Sequence, residues 1–334
     1  MSAVMENAER RRQKYGADYD QLLQTLSEGS VEVNFDPYLD IPWDSPEFAI
    51  DHNDPDWVLS PELDPLGATS WYQALPLERQ IEIGIWRQAN AVKVGSNFES
   101  MLIRGLMQYA MAMPNGAREF RYCMHEMTEE CNHIQMFQEL VNRIGVDVPG
   151  MRPLLRLLSP YIGMVGAFVP PGLMIGILAG EEPIDHYQKA LIRSGRGVPK
   201  AVLRAMEIHI AEEARHISFA GEYLRVRVPQ MRRHEKEVSG ILFPLLMRWL
   251  CDELVVPPPA FAKRFDIPRS VMKEAFWDSP RSREMLAEYF ADMRALATDL
   301  ELMNWRTRPL WRAMKIDGPP SRFRGEPDRT AAVI

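Results

Sequence analysis

The sequence has little cysteine and no excess of positive charge, and both features narrow what the protein can do. Its 334 residues include three cysteines, Cys123, Cys131 and Cys251, and no CxxC pair. This pattern offers no disulfide framework, so we expect a reducing, cytoplasmic location. The formal net charge of −7 argues against nucleic acid as a partner, because no basic excess is available to neutralise phosphates.

The sequence also lacks a clear targeting or membrane-spanning segment. Charged residues crowd the N-terminal stretch MSAVMENAERRRQKYG without a following apolar run, so we expect no signal peptide. The charge-free stretch 159–180 is long enough to cross a bilayer, but Pro170 and Pro171 interrupt it. We therefore expect two buried helical pieces joined at the prolines. A weak membrane contact through this surface stays open as an alternative.

Apolar residues recur at helical spacing from about residue 76, and no series of strand patterns appears. The sequence therefore predicts an all-α bundle in one domain over residues 76–305. Residues 1–75 combine a charged start with a run rich in proline and aspartate, which predicts an irregular segment that wraps the bundle. Residues 306–334 are predicted to form a flexible tail.

Two E-x-x-H motifs and two separate glutamates suggest a metal site. The motifs are Glu130–His133 and Glu213–His216, while Glu99 precedes Glu130 by 31 residues and Glu181 precedes Glu213 by 32. Four-helix bundles hold two metals with this set, a glutamate from each of two helices and E-x-x-H from each of the others. Four carboxylates can also balance the charge of two divalent ions, whereas without metal such a buried cluster is costly.

Neighbouring residues extend this pattern and leave two alternatives open. His209 lies one helical turn before Glu213 and is either a third histidine ligand, which we favour, or a hydrogen-bonded core residue. Glu182 rivals Glu181 as the ligand, and we favour Glu181 because its helix face is more apolar. Glu129 and Glu212 precede the motif glutamates and are either solvated acids or hydrogen-bond partners of a ligand histidine on a neighbouring helix.

The complete pattern, E…ExxH…E…HxxxExxH, resembles the AurF-type di-iron N-oxygenases, a family typified by p-aminobenzoate N-oxygenase. The third histidine distinguishes that family from ferritins, bacterial desaturases and ribonucleotide reductase small subunits. The likeness covers roughly residues 75–250. It implies a ferritin-like four-helix bundle with additional helices and extended termini. The implied ligands of two iron ions, or of manganese, are Glu99, Glu130, His133, Glu181, His209, Glu213 and His216.

The resemblance further implies O2-dependent oxygenation of an arylamine to a hydroxylamine and a nitro compound. Because the chain has no Gly-rich nucleotide motif and no Fe–S cysteine set, the electrons would come from an external ferredoxin or reductase. A fatty-acyl desaturase or hydroxylase is the alternative enzyme, and a non-catalytic metal-storage bundle is the alternative outside enzymes. We expect a small-molecule substrate, with the stretches 162–168 and 174–178 as pocket walls, and leave a homodimer open.

Overall fold

The computed structural model describes residues 3–319, with side chains from residue 18 onward, and this part of the chain contains no strand. The all-α prediction is thereby confirmed. The helices are α1 (Ala3–Glu32), α2 (Ser70–Gln73), α3 (Leu77–Met111), α4 (Arg118–Ile144), α5 (Pro153–Gly166), α6 (Pro170–Arg193), α7 (Lys200–Arg227), α8 (Arg233–Val255), α9 (Pro259–Arg264), α10 (Arg269–Lys273), α11 (Pro280–Tyr289), α12 (Ala291–Asp299) and α13 (Arg308–Ala313). Short 3₁₀ turns span Pro46–Phe48, Pro55–Trp57 and Val228–Gln230, and a π turn spans Glu274–Asp278.

Four long helices form the ferritin-like core. Helices α3 and α4 pack together as one hairpin and α6 and α7 as a second, and the two hairpins meet through α4 with α7 and α3 with α6. Helix α5 lies on α3 in the connection between the hairpins, while α8 packs against α6. The arrangement is a four-helix bundle with a long crossover between its two halves.

Glycines with positive φ follow the first two long helices of the bundle. Helix α3 ends at Met111, and Gly116 in the connection to α4 has φ 83°. Helix α4 ends at Gly145, where φ is 70° and the amide donates to the carbonyl oxygen of Val141. Glycine favours this left-handed position because it has no Cβ to collide with the backbone.

The bundle core has two apolar halves on either side of a polar layer. In α4 the residues up to Met127 belong to one half and those from Met136 onward to the other. In α7 the residues up to Ile208 belong to one half and those from Ile217 onward to the other. The predicted ligands of both helices lie within these gaps. Apolar packing therefore fixes the helices on both sides of the residues that carry charge.

The predicted irregular N-terminal segment is wrong for its first part, because Ala3–Glu32 is one continuous helix. Helix α1 packs across α4 and α7, and Tyr19, Leu23 and Leu26 are among its buried residues. These side chains form a narrow stripe on a mostly polar helix, which makes the helical pattern weak in the sequence. Residues 33–69 contain no α-helix and bury Trp43 against the bundle.

The predicted flexible tail is also wrong for residues 306–319. Helix α13 lies in this segment and packs on α8. Trp311 is fully buried, with its ring 5.6 Å from that of Phe243. This aromatic anchor fastens the segment to the bundle. The remainder of the predicted tail, residues 320–334, lies outside the described part of the chain.

The charge-free stretch divides into α5 and α6 before Pro170, as predicted, but the predicted burial of its first piece is wrong. Leu154, Leu157, Tyr161 and Val165 of α5 are each 64–69% exposed. Helix α5 buries only the narrow face that includes Leu155, Ser159 and Gly163, and its described helix contacts are mainly with α3 and α6. Among the described residues, no helix is both long and apolar enough to cross a membrane.

Candidate metal centre

The structure brings all seven predicted ligand residues together in the polar layer of the bundle. They form two groups whose ligand atoms lie within 4.8 Å of one another. The first group contains Glu99, His133, His209 and Glu213, and the second contains Glu130, Glu181, Glu213 and His216. All seven side chains are at most 6% exposed. Glu213 belongs to both groups, so the two positions are adjacent.

Two glutamates from the E-x-x-H motifs lie between the two positions. One oxygen of Glu213 lies 3.0 Å from Nε2 of His209, and its other oxygen lies 3.4 Å from Nδ1 of His216. Glu130 is arranged in the same way, with one oxygen 3.6 Å from Nδ1 of His133 and the other 2.8 Å from Nδ1 of His216. A carboxylate in this orientation can bridge two cations, and both motifs supply one.

Each histidine uses one ring nitrogen in an outer hydrogen bond and directs the other into the cluster. Nε2 of His133 donates to Glu212 at 2.8 Å, and Nε2 of His216 donates to Glu129 at 2.7 Å. Each outer acid therefore binds the histidine of the other motif. Nδ1 of His209 donates to the amide oxygen of Gln188 at 2.9 Å. Metal-ligating histidines characteristically have such outer partners, which fix the ring and its tautomer.

Glu181 and its rival Glu182 point to different places. Glu181 belongs to the second ligand group, whereas Glu182 lies in a separate cluster with His186 and Asp292. His186 Nε2 is 3.2 Å from Asp292 and 3.7 Å from Glu182. The position of Glu181 agrees with the preference drawn from its more apolar helix face. His186, one turn after Glu182 on α6, makes the contact with Asp292 of α12.

Burial and neighbouring charges raise the pKa values of some residues in the two ligand groups and lower those of others. Burial raises the pKa of Glu99 to about 7 and that of Glu181 well above its usual range. Burial alone would lower the pKa of His209, but Glu213 outweighs it and raises the pKa to about 9. The pKa of Glu213 lies well below its usual range, because His209 and His216 outweigh the effect of burial. Protons on Glu99, Glu181 and His209 would balance part of the carboxylate charge wherever no cation does so.

The donor set fits two divalent cations. Several of its buried atoms have no hydrogen-bond partner among the described residues, including both oxygens of Glu181, one of Glu99 and Nδ1 of His133. Unpartnered buried polar atoms are costly, and a cation between them would remove that cost. Mixed carboxylate and imidazole donors suit iron and manganese alike.

Sequence reasoning missed two buried residues beside the cluster, Gln188 and Glu126. Gln188 holds His209, and an amide at this position carries no recognisable metal pattern. Glu126 is fully buried on α4, and neither of its oxygens has a hydrogen-bond partner among the described residues. Burial raises its pKa to about 8, so the carboxyl group holds a proton at neutral pH. Its spacing of four residues before Glu130 places both on one helix face, which was the available signal.

A cavity of about 460 Å³ reaches the metal cluster from the surface. Glu99, Glu181, His209 and Glu213 line its inner end, and the rest of its wall is almost entirely apolar. Ile162, Val165 and Ile177 from the two predicted wall stretches contribute to it. A molecule in this cavity would meet the candidate metal positions from the side of α3 and α6.

Comparisons with known proteins agree with the geometry of the cluster. A family model described as P-aminobenzoate N-oxygenase AurF matches residues 16–301. The uncharacterized proteins Rv0885 and MT0908 of Mycobacterium tuberculosis and Mb0909 of Mycobacterium bovis are each 58% identical to this chain over 313 residues. The aligned region covers 94% of this chain and 92% of each relative. No solved structure matches the chain.

Proposed function

We propose that this chain, which belongs to the p-aminobenzoate N-oxygenase AurF family, is a di-iron oxygenase that uses O2 to oxidise a small, mostly apolar substrate. The observation that carries the proposal is the pair of ligand groups joined by Glu130 and Glu213. Glu130 and Glu213 each have one oxygen near one histidine and the other oxygen near a second histidine. A site for one metal would not need carboxylates in this arrangement, whereas a site for two metals would. Bound iron would supply the redox chemistry that activates O2.

The proposed reaction is N-oxygenation of an arylamine. One oxygen atom of O2 joins the nitrogen to give a hydroxylamine, the other leaves as water, and an external ferredoxin or reductase supplies two electrons together with two protons from solvent. A second molecule of O2 would oxidise the hydroxylamine to the nitro compound, with one of its oxygen atoms entering the product and the other leaving as water, and this step needs no further electrons. An arylamine is the substrate that the family's name suggests, and an aryl ring suits the apolar wall of the cavity.

The surrounding residues have separate roles in this proposal. Glu212 and Glu129 orient His133 and His216 through their outer hydrogen bonds, and Gln188 orients His209. The apolar wall of the cavity excludes water from the reacting amine. These contacts keep the imidazole rings fixed while a substrate enters.

Oxidation of a C–H bond in an alkyl or acyl chain is the second candidate. The apolar lining of the cavity favours it, because such a wall can hold a saturated chain as well as an aryl ring. A metal-storage role, the remaining alternative, needs no such cavity beside the cluster.

The test is anaerobic loading with Fe(II) followed by exposure to ¹⁸O2, a chemical reductant and separate panels of arylamines and of alkyl or acyl compounds. The proposal expects about two irons per chain and hydroxylamine or nitro products that contain ¹⁸O. Bound iron with labelled alkyl products would favour the second candidate. Bound iron without any oxygenated product would favour storage, and absence of bound metal would refute the dinuclear site itself.

A further inference from the structure

We propose that the cavity is a channel for an elongated, apolar substrate that carries no ionised group inside the protein. The channel would run along α6 from the surface between α5 and α8 to the metal cluster. The proposal rests on the proposed function, because it assigns the substrate class of that same site.

The floor of the channel is a row of glycines on α6. Gly172, Gly176 and Gly180 all line the cavity, and Glu181 follows at its inner end. Residues four apart lie on one face of a helix, and eight residues rise about 12 Å along the axis. The row therefore describes a long, shallow groove rather than a compact pocket.

Close packing does not require glycine in this groove. A Cβ atom at Gly176 would meet no described atom within 4 Å, and at Gly180 it would meet only Phe98 at 3.6 Å. Gly105 differs, because a Cβ there would lie 2.6 Å from Cδ1 of Leu173 and 3.1 Å from the carbonyl oxygen of Gly163. Glycine inside a helix lowers stability by about 1 kcal/mol relative to alanine. In α6 its effect is to keep the groove open.

The channel wall provides no counter-charge for an ionised substrate. Apart from the ligand residues at the inner end, none of the described residues that line it is Lys, Arg, His, Asp or Glu, and Tyr161 is its main polar group. A carboxylate bound there would lose its hydration without gaining an ion pair. An uncharged amine, by contrast, could approach the cluster at the inner end.

The mouth of the channel is apolar on its outer side as well. On α5, Tyr161 and Val165 are both 64% exposed, and on α8, Leu242 and Trp249 are 38% and 42% exposed. All four line the cavity. A chain too long for the channel would therefore remain against apolar surface as it leaves the protein.

The test measures binding of uncharged 4-n-alkylanilines, from ethyl to octyl, to the iron-loaded full-length protein by anaerobic calorimetry. Without O2 no turnover occurs. Kd should fall by about fourfold for each added methylene while the chain lies in the channel. The anion p-aminobenzoate should bind at least tenfold more weakly than 4-ethylaniline. The proposal would be overturned if Kd did not change with the length of the alkyl chain, or if p-aminobenzoate bound as tightly as 4-ethylaniline.

A matched pair of variants tests the position of the channel. Gly176→Leu places a side chain in the groove, and Gly221→Leu on α7 is the control, because a Cβ atom there also meets no described atom within 4 Å. Gly176→Leu should weaken octylaniline binding at least tenfold and keep a wild-type Tm or higher, while Gly221→Leu binds as the wild type does. Equal affinities in the two variants would refute the channel.

The binding result and the catalytic result can fail separately. Chain-length-dependent binding without any N-oxygenated product would retain the channel and refute arylamine oxygenation. Efficient oxygenation of p-aminobenzoate would support the proposed function and refute the substrate class inferred from the channel.

Discussion

Replacement of Glu212 by alanine should weaken one metal position and leave the other intact. Glu212 accepts the hydrogen bond from Nε2 of His133, and that ring directs Nδ1 toward Glu99 in the first ligand group. His216 of the second group depends instead on Glu129. The two positions therefore have separate outer supports, and a change at Glu212 should act on the His133 position alone.

Removal of such an outer partner typically lowers metal affinity 10- to 100-fold, which corresponds to roughly 1.4–2.7 kcal/mol. Glu212 is a cleaner choice than Glu129, because Arg215 lies 2.8 Å from Glu129 but 3.8 Å from Glu212. Glu212→Gln keeps an acceptor oxygen for His133 and should therefore lose less affinity than Glu212→Ala.

The assay is anaerobic titration with Mn(II), followed by calorimetry and by electron paramagnetic resonance. The wild type should bind two equivalents, and Glu212→Ala should keep one binding step and weaken the other. Glu207→Ala is the control, because Glu207 is exposed on the same helix and paired only with Arg204 in the described structure. Equal weakening of both steps, or two unchanged steps, would refute the assignment of Glu212 to a single position.

Three further predictions concern the ligand choice, a buried acid and helix packing. Glu181→Ala should lose about one metal equivalent while Glu182→Ala keeps both, as measured by elemental analysis; the reverse result would assign Glu182. Glu126→Gln should stabilise the metal-free protein at pH 8 but not at pH 4, because the folded pKa of about 8 exceeds the usual 4.5. The stabilisation by Glu126→Gln should grow by about 1.4 kcal/mol per pH unit between the usual pKa of 4.5 and the folded pKa of about 8. A difference in the free energy of unfolding, measured with urea, that is the same at every pH would contradict this. Gly163→Ala should lower the free energy of unfolding by about 1–3 kcal/mol, because its Cβ would collide with a carbonyl oxygen of α3. Gly221→Ala, which meets open space, is the control, and equal stability of the two variants would count against the collision.

The grouping of the seven side chains could be predicted because its geometry is local. Steps of three and four residues place His209, Glu213 and His216 on one face of a helix whatever the rest of the fold does. The repeated distance from a single glutamate to each E-x-x-H motif then predicts two similar hairpins. Little information beyond helical spacing was needed to bring these side chains together.

The surroundings of the site depend on tertiary contacts that spacing does not encode. Helix α5 is apolar on nearly every side, so its sequence has no polar face that would reveal which side meets solvent. The stripe of Tyr19, Leu23 and Leu26 on α1 is buried only because α4 and α7 pack against it. The same holds for Trp311, whose burial requires Phe243 of α8.

The two hairpins give the centre near-symmetry, and His209 removes it. Glu213 belongs to both ligand groups, and Glu130 has one oxygen near His133 and the other near His216. Besides these two glutamates, the first group contains Glu99, His133 and His209, whereas the second contains Glu181 and His216. Two bound cations would therefore differ in their number of imidazole donors.

The cavity makes this asymmetry relevant to catalysis. It meets the centre at Glu99 and Glu181, whereas His133 and His216 lie outside its lining and are held by Glu212 and Glu129. One oxygen of Glu99 and both oxygens of Glu181 have no hydrogen-bond partner among the described residues, and the same holds for both oxygens of Glu130, which lies outside the cavity lining. A change in how Glu99 or Glu181 holds a cation would therefore break no hydrogen bond of those oxygens and would occur on the side where a substrate enters. Glu212 and Glu129 would meanwhile keep the rings of His133 and His216 in place.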